Sequence, residues 1–234
     1  LYHPSNSYIF IYGNGDIERF MAHIENNYLA GYERLDVDSS IAWQDAFAAA
    51  KKVETTYSVA QDADTEGKDI LAYAVSMGTR KTPKDIYVQE VLSEVLINAQ
   101  AGPLKNALLA AGLGEDISDF SNDGIQIPFG VVAKDTDAAR AGEFEQIVED
   151  NLRQLVRDGI DKEQLVAAVN RMEYALREAN GYTTRGIIYY IDAMETWLYD
   201  GSPFDALCYN EALSELRRDI DSDYYERYIE EHIL

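Results

Sequence analysis

Residues 82–97 read TPKDIYVQEVLSEVLI, and this stretch predicts the helix around which the fold is built. Thr82 supplies an N-cap, and Pro83 suits the first helical turn because its missing amide proton is not needed there. Apolar residues then cover more than half of the helix circumference, at positions 86, 88, 91, 92 and 95–97. A helix that is apolar on so many sides is buried by its neighbours. We therefore expect this helix to lie at the centre of the core.

The stretches before this helix predict strands and one more helix. Residues 7–12 are aromatic and β-branched and stop at Gly13-Asn14-Gly15, which is typical of a buried strand and a turn. Asp16 then predicts the start of an amphipathic helix. Residues 53–59 alternate apolar with polar side chains, and residues 69–77 are largely apolar. We expect these two stretches to form an antiparallel hairpin with a long turn.

After the central helix, two further strand-like stretches occur at residues 115–121 and 125–134. Asn122-Asp123-Gly124 lies between them and predicts a hairpin turn. Pro128 falls inside the second stretch, and it indicates an edge strand or a bulge because proline cannot donate to a strand ladder.

The second half of the chain is mostly helical. Apolar stripes at helical spacing run over residues 144–156 and 165–176, and Ser202-Pro203 predicts the start of another helix. Strands followed by helices predict an α+β fold, with a mainly antiparallel sheet and helices packed on one face.

The composition excludes several classes of function. Twenty Lys and Arg stand against 42 Asp and Glu, so the formal net charge is −22. A surface this acidic repels phosphate backbones and anionic lipids, so we expect neither nucleic-acid nor membrane binding. The single cysteine, Cys208, excludes an internal disulfide and favours a reducing compartment, so a cytoplasmic location is expected. We interpret Cys208 itself as a buried helical thiol.

No metal site is predicted. The acidic clusters are interpreted as solvated surface, because no calcium-loop spacing is present; they are Glu149-Asp150, Glu230-Glu231, and Asp219, Asp221 and Asp223. His3, His23 and His232 include no pair at zinc-ligand spacing. Tyr228-Ile229-Glu230-Glu231-His232 approaches the zinc-peptidase motif H-x-x-E-H, but a tyrosine stands where the first imidazole must be. We therefore predict no catalytic and no metal-ligating residue, and leave substrate-binding residues open.

Tyrosines are concentrated in the C-terminal third. They either line a groove for an extended peptide or form the rims of packed helices, and the second interpretation is preferred. The residues concerned are Tyr182, Tyr189, Tyr190, Tyr199, Tyr209, Tyr224, Tyr225 and Tyr228.

Two sets of residues carry a family resemblance. The opening Tyr2-His3-Pro4-Ser5-Asn6-Ser7-Tyr8-Ile9, with Tyr12-Gly13 and an acidic helix start at Asp16, resembles the end of the first domain of the insulinase-type (pitrilysin-like) zinc metallopeptidases, in the presequence-protease branch. The second set is similar to that branch's second domain; it comprises Glu94-Val95-Leu96, Gly102-Pro103-Leu104, Ala107-Leu108 and Ala111-Gly112-Leu113-Gly114.

The resemblance implies a clamshell peptidase of two halves, each with two similar α+β domains, that close around a peptide-degrading chamber. It places the H-x-x-E-H helix and the third zinc ligand before Leu1, and the assisting Arg and Tyr beyond Leu234. No family catalytic position maps onto this chain. Zinc is therefore expected in the first domain of the parent enzyme and not in this segment. The expected partners are the other domains of the same chain and unstructured peptides.

The resemblance also implies a division of the chain. Residues 1–34 would be a strand and a helix from the end of the catalytic domain, residues 35–50 a linker, and residues 51–234 the non-catalytic domain, truncated before its last strand. We expect residues 7–12 to fill the vacant sheet edge, within one chain or in a strand-swapped dimer. The alternative is a freestanding acidic protein-interaction module without a peptidase partner domain.

Overall fold

The computed structural model describes residues 2–80, 82–120, 124–178 and 184–234. An antiparallel three-stranded sheet in the order β1-β3-β2 is combined with eight helices in this part of the chain, so the α+β expectation is confirmed. In chain order the elements are α1 (Ile17–Ile24), β1 (Asp69–Thr79), α2 (Pro83–Ser93), α3 (Pro103–Ala110), β2 (Asp116–Asp119), β3 (Gln126–Thr136), α4 (Ala141–Asp158), α5 (Lys162–Glu178), α6 (Arg185–Trp197), α7 (Tyr209–Asp219) and α8 (Tyr224–His232).

The central helix α2 forms as the sequence predicts. Its first turn is closed by a capping box, in which the Asp85 amide donates to the Thr82 hydroxyl and the Thr82 amide donates to the Asp85 carboxylate (2.8 Å). The helix continues into a π-helical turn, Glu94–Asn98. It packs against β3, α5 and α7, and its apolar residues are buried on nearly all sides. The prediction of a central buried helix is confirmed.

The sheet is organised around β3, whose residues pair with β1 on one side and β2 on the other. Val75 lies opposite Phe129, and Ile117 lies opposite Ala133. Pro128 therefore belongs to the central strand, and the expectation of an edge position is wrong. It is tolerated because the described pairing of β2 ends at Val131, and because the register shifts just past its partner Ser76. The shift adds one residue to β1 between Ser76 and Thr79, so the irregularity lies on the partner strand beside Pro128 and not in the stretch that contains it. Asn122 and Asp123 of the predicted turn lie outside the described residues.

The hairpin predicted from residues 53–59 and 69–77 is wrong. The second stretch forms β1, but its partner is β3, 50 or more residues away, and residues 53–59 are exposed, Val53 to 83%. Local alternation shows that a stretch could be half-buried but does not identify its partner. β3 carries nearly continuous apolar residues, most of them buried, and the strand that pairs with it joins the core through Leu71 and Met77.

The expectation that residues 7–12 form a buried strand is also wrong. They are not among the strands of the described sheet, and their side chains are half-buried or exposed. The proposal that they fill a sheet edge within one chain fails for the same reason. Their aromatic rings pack on α6 instead, which buries apolar ring surface without a strand partner.

The helix expected from Ser202 is replaced by a turn, and α7 begins only at Tyr209. Two carbonyl groups of this segment are engaged by side-chain hydroxyls: Thr196 donates to Ser202 (2.6 Å), and Tyr87 donates to Ala206 (2.7 Å). These bonds hold the segment against the core in a non-helical path. The two other apolar stripes form α4 and α5 as predicted.

Two glycines fix the path around α3. A Cβ on Gly102 would lie 2.9 Å from the carbonyl oxygens of Leu96 and Ile97, and a Cβ on Gly114 would lie 2.8 Å from the carbonyl oxygen of Lys134. Gly114 also has φ +98°, which side chains disfavour. Both glycines belong to the residues that carry the family resemblance, so their presence there has a packing reason.

Candidate functional site

A polar cleft of about 280 Å³ lies between α2, α5 and α6. Two ion pairs lie in the cleft. The Arg80 guanidinium, in a residue only 8% exposed, pairs with the Glu195 carboxylate, and Arg171 Nη1 lies 2.5 Å from Glu94 Oε1. Glu90 and Asp119 also line the cleft, so its carboxylates outnumber its cations.

The floor of the cleft carries a polar pair on one face of α2. Gln89 and Ser93 are both buried, and Gln89 Nε2 donates to Ser93 Oγ (3.1 Å). Their i, i+4 spacing is the one at which H-x-x-E-H presents two imidazoles from adjacent turns. Here an amide and a hydroxyl occupy those two positions, and Leu92 occupies the position of the general base. The pair therefore supplies no imidazole ligand, and the carboxylates beside it in the cleft are those of Glu90 and Glu94.

A second surface is formed where residues 8–12, here called the aromatic strap, cross α6. Alternate strap residues each contact a ring of α6: Tyr8 with Trp197 (ring centroids 4.8 Å apart), Phe10 with Tyr190 (5.8 Å) and Tyr12 with Tyr189 (5.3 Å). A groove of about 700 Å³ lies between them.

The aromatic strap also depends on a glycine of α6. A Cβ on Gly186 would lie 2.7 Å from the Tyr12 ring, so the ring rests directly on the helix backbone there. The side chain of Ile187, one residue on, is exposed beside this contact. The groove is lined by aromatic and aliphatic side chains together with Thr184 and Arg185.

The three histidines are in separate environments. His3 Nδ1 accepts from the Ser5 amide (3.1 Å), and the ring meets Tyr32 edge-on. His23 lies on α1 with its Nδ1 3.1 Å from Asn27 Nδ2. The His232 ring packs on Tyr228, 4.3 Å between centroids, in the stretch that approaches H-x-x-E-H. This contact gives that stretch a packing role.

The acidic clusters engage cations of the chain itself. Glu149 pairs with Arg153 (2.9 Å), Asp219 with Lys84 (2.5 Å), and Asp221 and Asp223 lie within 4 Å of Lys162 and Arg227; no contact of this kind is described for Asp150, Glu230 or Glu231. In the described ranges, no group of three or more His, Cys, Asp or Glu is placed to hold a metal ion.

Cys208 is exposed and precedes α7, so the interpretation of a buried helical thiol is wrong. The cause is the turn before α7: a helix beginning at Ser202 would have carried Cys208 inside it. Among the described residues, no helix has both the length and the apolar character needed to cross a bilayer.

Some tyrosines of the C-terminal third pack between helices, and others lie on the surface of the aromatic groove. Tyr225 is fully buried and its hydroxyl donates to the Leu216 carbonyl (3.0 Å), and Tyr228 is buried beside it, so these are packed helix residues. Burial raises the pKa of both phenols above the ordinary value. Tyr190 lines the aromatic groove instead, and Tyr189 contacts the strap at Tyr12. Tyr182 lies outside the described residues. No sequence signal separated the two groups, because both occur at helical spacing.

The fold and these two surfaces define an α+β domain whose polar cleft carries no zinc-ligand pair in the described residues. Residues 1–172 match the model of the family described as the Peptidase M16 inactive domain, and the chain belongs to that family. The resemblance to insulinase-type peptidases is thereby confirmed, and the label "inactive" agrees with a non-catalytic domain.

Relatives and a solved structure support the same placement. The chain is 38% identical, over all of its length, to Protein HypA of Clostridium perfringens, and 30% identical, over 92% of its length, to presequence protease 1 (chloroplastic/mitochondrial) of Arabidopsis thaliana. It spans only 24% and 20% of these two relatives. In fold it is similar to the inactive peptidase domain of a Bordetella parapertussis protein described as a zinc protease, with TM-score 0.53, 14% identity, and coverage of 70% of this chain and 86% of that one.

Proposed function

We propose that this chain is the non-catalytic domain of a larger insulinase-type zinc endopeptidase, in which it supports the catalytic domain and forms part of the wall of a peptide-degrading chamber. The observation that carries the proposal is the match to the inactive peptidase domain in a chain that spans about a quarter or less of two relatives. The remaining length of such a protein is where a catalytic domain would lie.

The N-terminal region is exposed on both sides of the proposed boundaries, so what favours a neighbouring domain is the uncovered apolar face of α1. None of residues 2–70 is buried, and α1 exposes Ile17, Phe20 and Met21. An amphipathic helix with an uncovered apolar face is stabilised by a neighbour that covers it. We assign residues 1–34 to the end of the preceding catalytic domain, residues 35–50 to a linker, and residues 51–234 to the non-catalytic domain.

The zinc ion of the parent enzyme would be held outside this chain. The residues of the polar cleft do not fit zinc, because Gln89 and Ser93 bond to each other and no histidine or cysteine is among the described lining residues. The contribution of this chain would therefore be structural: it offers surface to the catalytic domain and to peptides in the chamber.

The first experiment determines the mass and the upstream sequence of the native polypeptide. We expect a chain far heavier than 26.3 kDa with an H-x-x-E-H motif before residue 1. The isolated chain should cleave no quenched fluorescent peptide in the presence of zinc, whereas the parent should do so. A native chain that begins near residue 1 would overturn the proposal and leave the freestanding acidic interaction module.

A further inference from the structure

We propose that the aromatic face of α6 is a binding site for extended peptide segments with aromatic residues at alternate positions, and that the aromatic strap occupies this site in the present chain. The inference depends on the proposed function in one respect only, because it supposes that peptides reach α6. The contacts that support it lie within the described residues.

The first observation is the alternation of the strap contacts. Tyr8, Phe10 and Tyr12 each meet a ring of α6. Side chains alternate in this way along an extended backbone. The ring contacts therefore involve every second residue of the strap, although Tyr12, 56% exposed, is no more buried than Ile9 or Ile11, and Ile9 also lines the groove.

The second observation is a match of lengths. Four steps of extended chain from Tyr8 to Tyr12 span about 13 Å, at roughly 3.3 Å a residue. Eight steps of helix from Tyr189 to Trp197 span about 12 Å, at roughly 1.5 Å a residue. Because the end of the strap meets the start of α6, the two segments run in opposite directions. The two end contacts thus have the same spacing on the strap and on the helix, whereas the middle residue Phe10 contacts Tyr190, next to Tyr189.

The third observation is that the strap is held weakly enough to be exchanged. It is not part of the described sheet, and none of its residues is buried. Edge-on aromatic pairs contribute about 0.5–1.5 kcal/mol each beyond their buried area. Ile187 and Ile191 remain exposed on α6 while the strap is bound, so the apolar surface continues past it. A peptide can occupy this face where the strap has left it.

A binding experiment on the full chain tests the proposal. Trp43, 55% exposed and outside the groove, is replaced by Phe so that Trp197 is the single reporter of fluorescence. The triple variant Tyr8→Ser, Phe10→Ser, Tyr12→Ser vacates the site. The probe is the synthetic peptide Ser-Asn-Ser-Tyr-Ile-Phe-Ile-Tyr-Gly-Asn, which has the sequence of residues 5–14. A matched peptide with serine in place of its three aromatic residues is the control.

We expect the probe to shift the Trp197 emission of the triple variant, with an affinity about tenfold or more tighter than for the chain that keeps its strap. The control peptide should produce no shift. Tyr190→Ser should weaken binding, whereas Tyr174→Ser, an exposed tyrosine on α5, should not. Equal binding of the two peptides, or no gain on vacating the site, would overturn the proposal.

Two checks keep the result interpretable. Circular dichroism establishes that the variants fold, and if the triple variant does not, the single variant Tyr12→Ser is compared with the parent chain by the same titration. The proposed function can fail separately, since it depends on the native polypeptide and on peptidase activity. Peptide binding to the isolated chain depends on neither.

Discussion

Gly114 is a single residue on which the approach of the α3 segment to the sheet depends. An alanine there would combine φ +98° with a Cβ 2.8 Å from the Lys134 carbonyl oxygen. We expect Gly114→Ala to lower the free energy of unfolding by about 1–3 kcal/mol. The matched control is Gly142→Ala in α4, where a Cβ would meet nothing described within 4 Å and alanine favours the helix by about 0.5–1 kcal/mol. Urea unfolding measures the free energy of unfolding of both variants. Equal changes in the two would contradict the role given to Gly114.

The buried tyrosines give the chain a specific response to alkaline pH. Burial raises the pKa of Tyr87, Tyr225 and Tyr228 above the ordinary value, so the folded chain keeps protons that the unfolded chain releases. The resulting stability is complete below about pH 10 and falls as pH rises toward the folded pKa values, by about 1.4 kcal/mol per pH unit for each tyrosine.

Urea unfolding at about pH 9, 10 and 11 measures this slope. Tyr225→Phe should reduce the slope of the free energy of unfolding against pH by the contribution of one phenol, because it removes one ionisable group. Tyr174→Phe, a change at an exposed phenol, should leave this slope unaltered. A slope that is the same in the Tyr225→Phe chain and the original chain would show that the fold does not protect this phenol.

At the scale of elements, what the sequence predicts well are the helices whose signals are local. Thr82, Asp85 and the apolar residues of α2 lie within one short stretch, and each of them acts in the structure as expected. Strand partners are not local. Residues 53–59 alternate and β1 is largely apolar, so both look like strands, but only the fold determines that β1 pairs with β3.

The candidate surfaces were less predictable than the helices. The tyrosines of α6 and α8 have similar spacing, yet those of α8 pack inside while Tyr189 and Tyr190 meet the aromatic strap. The strap itself, residues 8–12, has the composition of a buried strand, and nothing within it specifies a helix as its neighbour. Hydrophobic patterning indicates that a side chain is buried against a neighbour, but it does not specify which element that neighbour belongs to.

The helices α1 and α2 should differ strongly in hydrogen exchange. None of the residues of α1 is buried, and an isolated helix of this length is marginal in water. The amides of Val88, Leu92 and Leu96 lie in the core and should exchange only on global unfolding. We expect α1 amides to exchange far faster than those of α2 when followed by mass spectrometry. Comparable protection of the two helices would show that α1 already has a stabilising neighbour.

At the scale of the whole molecule, the excess of acidic groups cannot be neutralised internally. If each of the 20 Lys and Arg paired with one carboxylate, 42 − 20 = 22 carboxylates would remain. Several of the described ion pairs lie at the surface, where they stabilise little. The chain therefore presents a negative field, which attracts cations toward whatever cavity it helps to enclose.

This field predicts a dependence of the parent enzyme on ionic strength. We propose that the acidity favours capture of basic, unstructured peptides, and salt screens such attraction over a Debye length of about 8 Å at physiological strength. Raising salt should therefore weaken capture of a cationic peptide, measured as kcat/KM, more than capture of a neutral peptide of equal length. The neutral peptide controls for effects of salt on the fold and on the zinc centre. Equal losses of kcat/KM for the two peptides would show that the charge of this domain does not affect substrate capture.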